Sequence, residues 1–319
     1  MKAFLIAALV AAGTAHAQVS WKLATGYRAE TFHTLNLQQF AQEVEQASGG
    51  QLKIDVHPNN TLVKLPDIRQ AVQDGKVEAG ESIMAGLVKE IPLAGADSIP
   101  FVVGSYADAQ RMWQLQRPLI EKHFAARGLK VLYAVPWPPQ GLHSNRAIRS
   151  IADFAGTKMR TYNQTTVRIA ELVKARPVDV SMVEVNKAIA EGKMDNMITS
   201  AVTGVENQVW GPIKYYYEIN AWFPKNIVYA NLRSFNALKP PVQAAVARAA
   251  VAAETRGWAM SQAAMVDATA ELKAHGIKVE RVPAEFDQEF KRLGEKFSRE
   301  WVRSVGNEAN HIFVPYYSQ

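Results

Sequence analysis

The chain has 319 residues, 48% of them apolar, a net charge of +6 at pH 7 and no cysteine. No disulfide framework, thiol nucleophile or cysteine metal site is available to it, and the lysines and arginines are scattered without a basic block, so nucleic-acid binding has no footprint. The length suffices for two lobes held by apolar burial alone.

Met1-Lys2, an apolar run from Ala3 to Val10 and the ending Ala15-His16-Ala17 carry the three regions of a cleavable secretory signal. The pattern predicts a leader over 1–17, a mature chain from Gln18 and residence in the periplasm. The apolar run is about half the roughly 20 residues that a spanning helix needs, and no second long apolar segment follows.

In the mature chain, helix and strand patterns alternate as in an α/β protein. Trp21 to Thr25 reads as a strand, and Asn36 to Ala47 as a helix with apolar Leu37, Phe40, Ala41 and Val44 on one face. Ser48-Gly49-Gly50 stops that helix. Further strands are expected at 51–57, 77–81, 129–135, 147–150, 158–162 and 226–231, with a helix over 66–74. Tyr215-Tyr216-Tyr217 and Trp210 are expected at the lobe surface near the hinge.

Residues 71–78, AVQDGKVE, repeat as 188–195, AIAEGKMD, at a constant offset of 117. Each reads as a helix end, a glycine stop and the start of a strand. Both continue into polar groups, Ser82 in one copy and Thr199-Ser200 in the other, where crossing strands are expected to end. Two halves of like topology with facing strand ends form a cleft, and in open α/β sheets ligands sit beyond the carboxyl ends of strands. From Pro241 to Ala274 the chain is rich in Ala, Glu, Gln and Met, the composition of a helix about 50 Å long at 1.5 Å per residue. Gly257 is a candidate kink, and two helices broken there are the alternative.

Within GTKMRTYN (156–163), Arg160 stands at the end of a short apolar strand, followed by small polar groups and a helix start. A guanidinium fork in that setting suits a carboxylate. The histidines are dispersed, no nucleophile-elbow, metalloprotease or phosphate-loop pattern occurs, and Glu78 and Glu81 lack acid–base geometry. A secreted enzyme acting on an organic acid is thus an alternative without a motif, and no metal or cofactor is implied.

Five segments together resemble the solute-binding proteins of TRAP (tripartite ATP-independent periplasmic) transporters: FAQEVEQASGGQLKIDVHPNNTL (40–62), AVQDGKVEAGES (71–82), DSIPF (97–101), SNRAIRSIADFAGTKMR (144–160) and MVEVNKAIAEGKMDNMITS (182–200). The resemblance spans nearly the whole mature chain. It implies the two-lobed, type II-like periplasmic binding protein fold, α/β in class, with crossing strands as hinge and a long helix spanning both lobes. Residues 18–143 are then mainly lobe 1, 144–231 mainly lobe 2, and 232–319 the long helix with C-terminal helices packed on both. The implied partners are a small organic acid and the large and small membrane subunits of a permease, with the receptor a monomer; a chemosensory receptor is the other possible recipient.

Carried over by position, the family's carboxylate-binding arginine falls on Arg160. Thr199 stands where many relatives have asparagine, and Gln140 where sugar-acid binders place a second arginine. With one arginine in the site, a monocarboxylate fits better than a dicarboxylate. Trp137, Tyr162, Asn163, Met182, Trp222 and Phe223, with Tyr27 and Ser82 from the first lobe, complete the candidate lining and favour an apolar or aromatic ligand body. Arg28 and Arg168 are the places to look for a second cation.

Overall fold

A computed structural model describes residues 18–318, so the leader reading over 1–17 lies outside the described residues. The first half opens with β1 (Val19–Ala24), α1 (Phe32–Ala47), β2 (Leu52–His57), α2 (Ile68–Gln73) and β3 (Ala79–Ile83). β1 pairs in parallel with β2 and β3. α1 buries Leu37, Phe40, Ala41 and Val44. It ends because Gly49 and Gly50 take φ of 62° and 76°, the left-handed region that a side chain resists. α3 (Tyr106–Ala125) and β4 (Leu129–Pro136) follow.

The chain then leaves the first sheet. β5 (Gly141–Ser144), β6 (Lys158–Thr161), α4 (Gln164–Leu172), β7 (Arg176–Asp179), α5 (Val185–Ala190), β8 (Asn196–Thr199), α6 (Ala201–Glu206) and β9 (Tyr215–Tyr217) build the second half. β10 (Lys225–Asn231) returns to the first sheet, followed by α7 (Leu232–Asn236), α8 (Pro240–Ala274), β11 (Lys278–Glu280), α9 (Ala284–Val305) and α10 (Asn310–Tyr317). The sheets run β2-β1-β3-β10-β4 and β11-β9-β5-β8-β6-β7.

The internal echo is topological. β3 and β8 begin at positions 79 and 196, the same offset apart, each after a glycine of positive φ, Gly75 and Gly192. β3 lies between parallel β1 and antiparallel β10, and β8 between parallel β6 and antiparallel β5.

The crossing strands are not the ones expected. β3 and β8 end inside their own sheets; the chain crosses from β4 to β5 through 137–140 and back from β9 to β10 through 218–224. These two passages form one ribbon, with Trp137 N donating to Pro224 O at 2.7 Å, Gln140 N to Trp222 O at 3.0 Å and Ala221 N to Gln140 O at 2.9 Å. The 144–231 grouping also needs correction, since β5 opens the second sheet from Gly141 and β10 lies in the first. The strand expected at 147–150 is absent, because the amides of Arg149 and Ser150 both donate to the Asp153 carboxylate and cap a short turn instead. Tyr215 to Tyr217 form an inner strand, with Tyr216 and Tyr217 buried, rather than a surface patch.

α8 runs unbroken for 35 residues, opened by Pro240 and Pro241, and packs on α1 and β4 of the first half and on α6 and β11 of the second. Gly257 does not kink it. That glycine lets the helix approach β4: a Cβ there would collide with a Val135 methyl and lie 2.8 Å from the Asn36 amide nitrogen. Asn36 itself donates to Ala253 O at 2.9 Å and accepts from Arg256 at 2.8 Å, so it is not free to yield, and Val135 is buried in the core. Gly257→Ala is therefore expected to destabilise the fold by about 1–3 kcal/mol through overpacking, despite alanine's better helix propensity. Urea unfolding measures it, and an unchanged midpoint would show that the helix has room to move.

Candidate functional site

A cavity of about 540 Å³ lies between the halves. Tyr27 and Ile83 wall it from the first half; Arg160, Tyr162, Met182 and Thr199 wall it from the second; Trp137, Gln140 and Pro224 of the crossing ribbon close its floor.

β6 delivers Arg160. Met159 turns into the second core while Arg160 turns toward the cleft, 3% exposed. Its Nε donates to Val180 O at 3.0 Å, and the guanidinium carbon lies 4.8 Å from the centroid of the Tyr162 ring. Among the described residues no carboxylate forms an ion pair with it. Burial pulls its pKa down to about 10, so it is still a cation at neutral pH. A buried charge without a counterion is costly. The outer edge of the fork, both Nη groups, is left for an anion entering the cavity.

The surroundings of Arg160 are held by hydrogen bonds from behind. Tyr162 donates to Gln140 Oε1 at 3.1 Å, and Gln140 Nε2 donates to Pro138 O at 2.9 Å. Burial pushes the Tyr162 phenol up to about 12, which keeps it neutral. Gln140 thus reaches the cavity with both ends of its amide occupied, as a support for Tyr162. Trp137 and Tyr27, with ring centroids 5.2 Å apart, both donate to Asn226 Oδ1, at 2.9 and 3.1 Å. Asn226 in turn donates to the buried Glu81 at 3.0 Å. This chain fixes the orientation of an aromatic wall. Thr199 lines the cavity and donates its hydroxyl to Thr203 at 3.1 Å.

Four predicted residues lie elsewhere. Ser82 is buried against the Tyr229 hydroxyl at 2.7 Å, because in β3 its side chain faces the core and its neighbour Ile83 faces the cleft. Asn163 caps α4, accepting from Thr166 N at 2.9 Å. Phe223 packs edge-on against Tyr106 in the first core, with centroids 5.1 Å apart, and Trp222 belongs to the second core. Nor do the suggested cations line the cavity: Arg168 pairs with Glu300 and Glu171 at 3.1 and 3.2 Å, and Arg28 is spent on second-half oxygens beside it. The cation missed by sequence reasoning is Lys64, exposed at the cavity mouth with Asp179 and Glu184 on the opposite side. Nothing in the local sequence sets these three apart from other surface charges; only the approach of the two halves gives them a common place.

Among the described residues no cluster of three or more His, Asp or Glu could hold a metal ion, and no helix is long and apolar enough to cross a membrane.

Residues 23–304 match the family model for bacterial extracellular solute-binding proteins, family 7. The Bordetella pertussis extracytoplasmic solute receptor DctP6, described as binding pyroglutamic acid, is 36% identical, with a TM-score of 0.92 over 94% of this chain and 100% of its own. A TRAP solute-binding protein from a marine metagenome, solved with co-purified pyroglutamate, is 33% identical, with a TM-score of 0.92 over 95% of this chain and 99% of its own. A monocarboxylate 2-oxoacid-binding periplasmic protein of Nostoc sp. is 27% identical over 88% of this chain and 77% of its own. The match over nearly all of the described residues, with the same fold in relatives of 36% and 33% identity, places the chain in family 7 of the bacterial extracellular solute-binding proteins, as a solute receptor of the TRAP type.

Proposed function

We propose that the protein captures a small monocarboxylate in the periplasm, pyroglutamate being the first candidate, and as a monomer hands it to the large and small membrane subunits of a TRAP permease. The carrying observation is Arg160, a nearly buried guanidinium whose outer edge has no counterion among the described residues. Carboxylate binding supplies the missing charge, and exclusion of water strengthens the pair. Gln140 supports the single-carboxylate reading, because its amide is occupied by Tyr162 and Pro138, and among the described residues the other cation of the lining, Lys64, stands at the mouth. Relatives at 36% and 33% identity are described as binding pyroglutamate, a cyclic monocarboxylate. The ligand bridges both walls and draws the halves together about the 137–140 and 218–224 ribbon, selecting the closed form.

A cavity of about 540 Å³ falls within the range of roughly 300–1,000 Å³ for small-molecule sites. That volume, with Trp137, Tyr27 and Met182 in the wall, also admits an acid with a larger apolar or aromatic body. Thermal shift with pyroglutamate, a phenyl-substituted hydroxy acid, pyruvate and succinate tests both levels of the reading. Pyroglutamate or the phenyl acid is expected to raise the melting temperature most. If succinate does so, Lys64 is acting as a second cation and the monocarboxylate reading fails.

A further inference from the structure

At the edge of the cavity, the side chain of Arg28 ties the two halves together. Arg28 follows Tyr27 in the loop after β1, and its guanidinium donates to Glu206 O at 2.6 Å, Val183 O at 3.3 Å and Asn207 Oδ1 at 3.2 Å. All three acceptors belong to the second half. Asn207 is itself fixed, donating to Thr203 O at 2.9 Å while its Oδ1 accepts from Asn186 N at 3.3 Å. The contact therefore meets a rigid surface and exists only while the halves are together.

The Glu206 carboxyl sits in the same seam. Its side chain is 11% exposed, Oε2 is 3.9 Å from Arg28 Nη1, and that oxygen is buried without a hydrogen-bond partner. Arg28 is aimed at neutral oxygens instead, so the carboxylate is near a cation without being properly paired. The groups facing it from the first half are Arg28, Glu30 and the Thr31 hydroxyl. On its own side Asn207 and Asn186 are uncharged, and α8 brings Leu272 against α6 at Gly204. Burial holds the Glu206 carboxyl up at about 7, opposed by Thr31 and Arg28 and assisted by Glu30.

We propose that Arg28 and Glu206 form a proton-gated latch between the lobes: closure protonates Glu206, and capture of the acid tightens as pH falls. When the lobes part, water reaches Glu206 and its pKa returns to the ordinary value of about 4.3. A carboxyl whose pKa is higher in the closed form favours that form at low pH and loses the preference as pH rises through about 7. The ligand carboxylate and Arg160 keep their charges across pH 5.5–8, so neither produces this trend. The inference rests on the reading that the ligand-bound form is the closed one, and one arm of its test needs no ligand.

In the first arm, calorimetry with pyroglutamate at pH 8 and pH 5.5 is expected to show a roughly 10- to 30-fold tighter complex at the lower pH in the wild type. Glu206→Gln, a mimic of the protonated carboxyl, is expected to bind equally at both and more tightly than wild type at pH 8. A wild type without pH dependence, or a variant that keeps it in full, overturns the latch. In the second arm, the absence of native cysteine allows spin labels at Gln46→Cys and Lys187→Cys, exposed positions on α1 and α5. The ligand-free protein is expected to populate the short interlobe distance more at pH 5.5 than at pH 8, and Glu206→Gln to remove that difference. Equal distance distributions in the wild type overturn the latch whatever the ligand is, whereas failure of pyroglutamate to bind at either pH overturns only the choice of acid.

Discussion

Arg160→Ala is expected to weaken capture of the acid by about 2–5 kcal/mol, roughly thirty- to several-thousand-fold in Kd, without loss of fold. The bound carboxylate would keep its desolvation cost and lose the only guanidinium that the described residues put in the cavity wall. Arg160→Lys should recover part of the loss, since an ammonium keeps the charge but lacks the planar fork and the second donor that holds Val180 O. The ligand-free variants supply the control. Arg160 is buried without an ion pair among the described residues, so its removal relieves an unfavourable charge, and the melting temperature of ligand-free Arg160→Ala should equal or exceed that of the wild type. Calorimetry gives the first quantity and calorimetric melting the second. Wild-type affinity in the alanine variant would remove Arg160 from the site; lost binding together with a large fall in melting temperature would make it a structural residue.

The opposite outcome is expected at Asp97 and Lys225, where the charge is structural. Lys225 opens β10 beside Pro224 of the cavity floor, and Asp97 lies in the turn over 92–98. Both side chains are fully buried, with Nζ 3.2 Å from Oδ2. The Lys225 amide donates to Asp97 at 2.8 Å and the Ser98 hydroxyl at 2.9 Å. The ammonium lies within ion-pair distance but off hydrogen-bond alignment, so the pair holds by charge more than by geometry. Burial pushes the Asp97 carboxyl up and the Lys225 ammonium down, and each partner resists the other's neutralisation. Asp97→Asn leaves Lys225 buried and uncompensated, for an expected loss of about 3–5 kcal/mol, a large share of a typical domain's stability. Asp97→Asn/Lys225→Met should recover most of it, because an apolar pair of similar volume carries no desolvation cost. Urea unfolding of both variants decides this, and a loss below about 1 kcal/mol for Asp97→Asn would mean that Lys225 already folds without its charge.

What the sequence determined by itself is whatever depends on neighbours along the chain. The one-sided apolar period of α1, the glycine stop at Gly49-Gly50 and the helix-forming composition from Pro241 to Ala274 are local, and α1 and α8 follow them within a few residues; that α8 continues through Gly257 was decided by its packing on β4. The echo of 71–78 in 188–195 fixed a shared helix-glycine-strand unit, and with it the related surroundings of β3 and β8. Arg160 at a strand end was legible for the same reason: β6 is short, and its period of two places Arg160 opposite the inward Met159.

Other features depended on which segments meet in space. Which strands cross between the halves was misread, because hydrogen bonding between 137–140 and 218–224 joins residues about eighty positions apart. Ser82 and Thr199 occupy equivalent places in the echo, yet only Thr199 reaches the cavity; Ser82 is turned away by its bond to Tyr229 of β10, a strand that arrives from the far end of the chain. Phe223 and Trp222, expected in the cleft beside the positions carried over from the family, are adjacent residues that turn to opposite sides of the returning ribbon, one into each core. Lys64, Asp179 and Glu184 become one rim, and Arg28 and Glu206 one seam, only when the two halves approach. Periodicity along a chain specifies which face of an element is buried; it carries no information on which distant face will cover it, and that is settled by the packing of the two halves on each other and on α8.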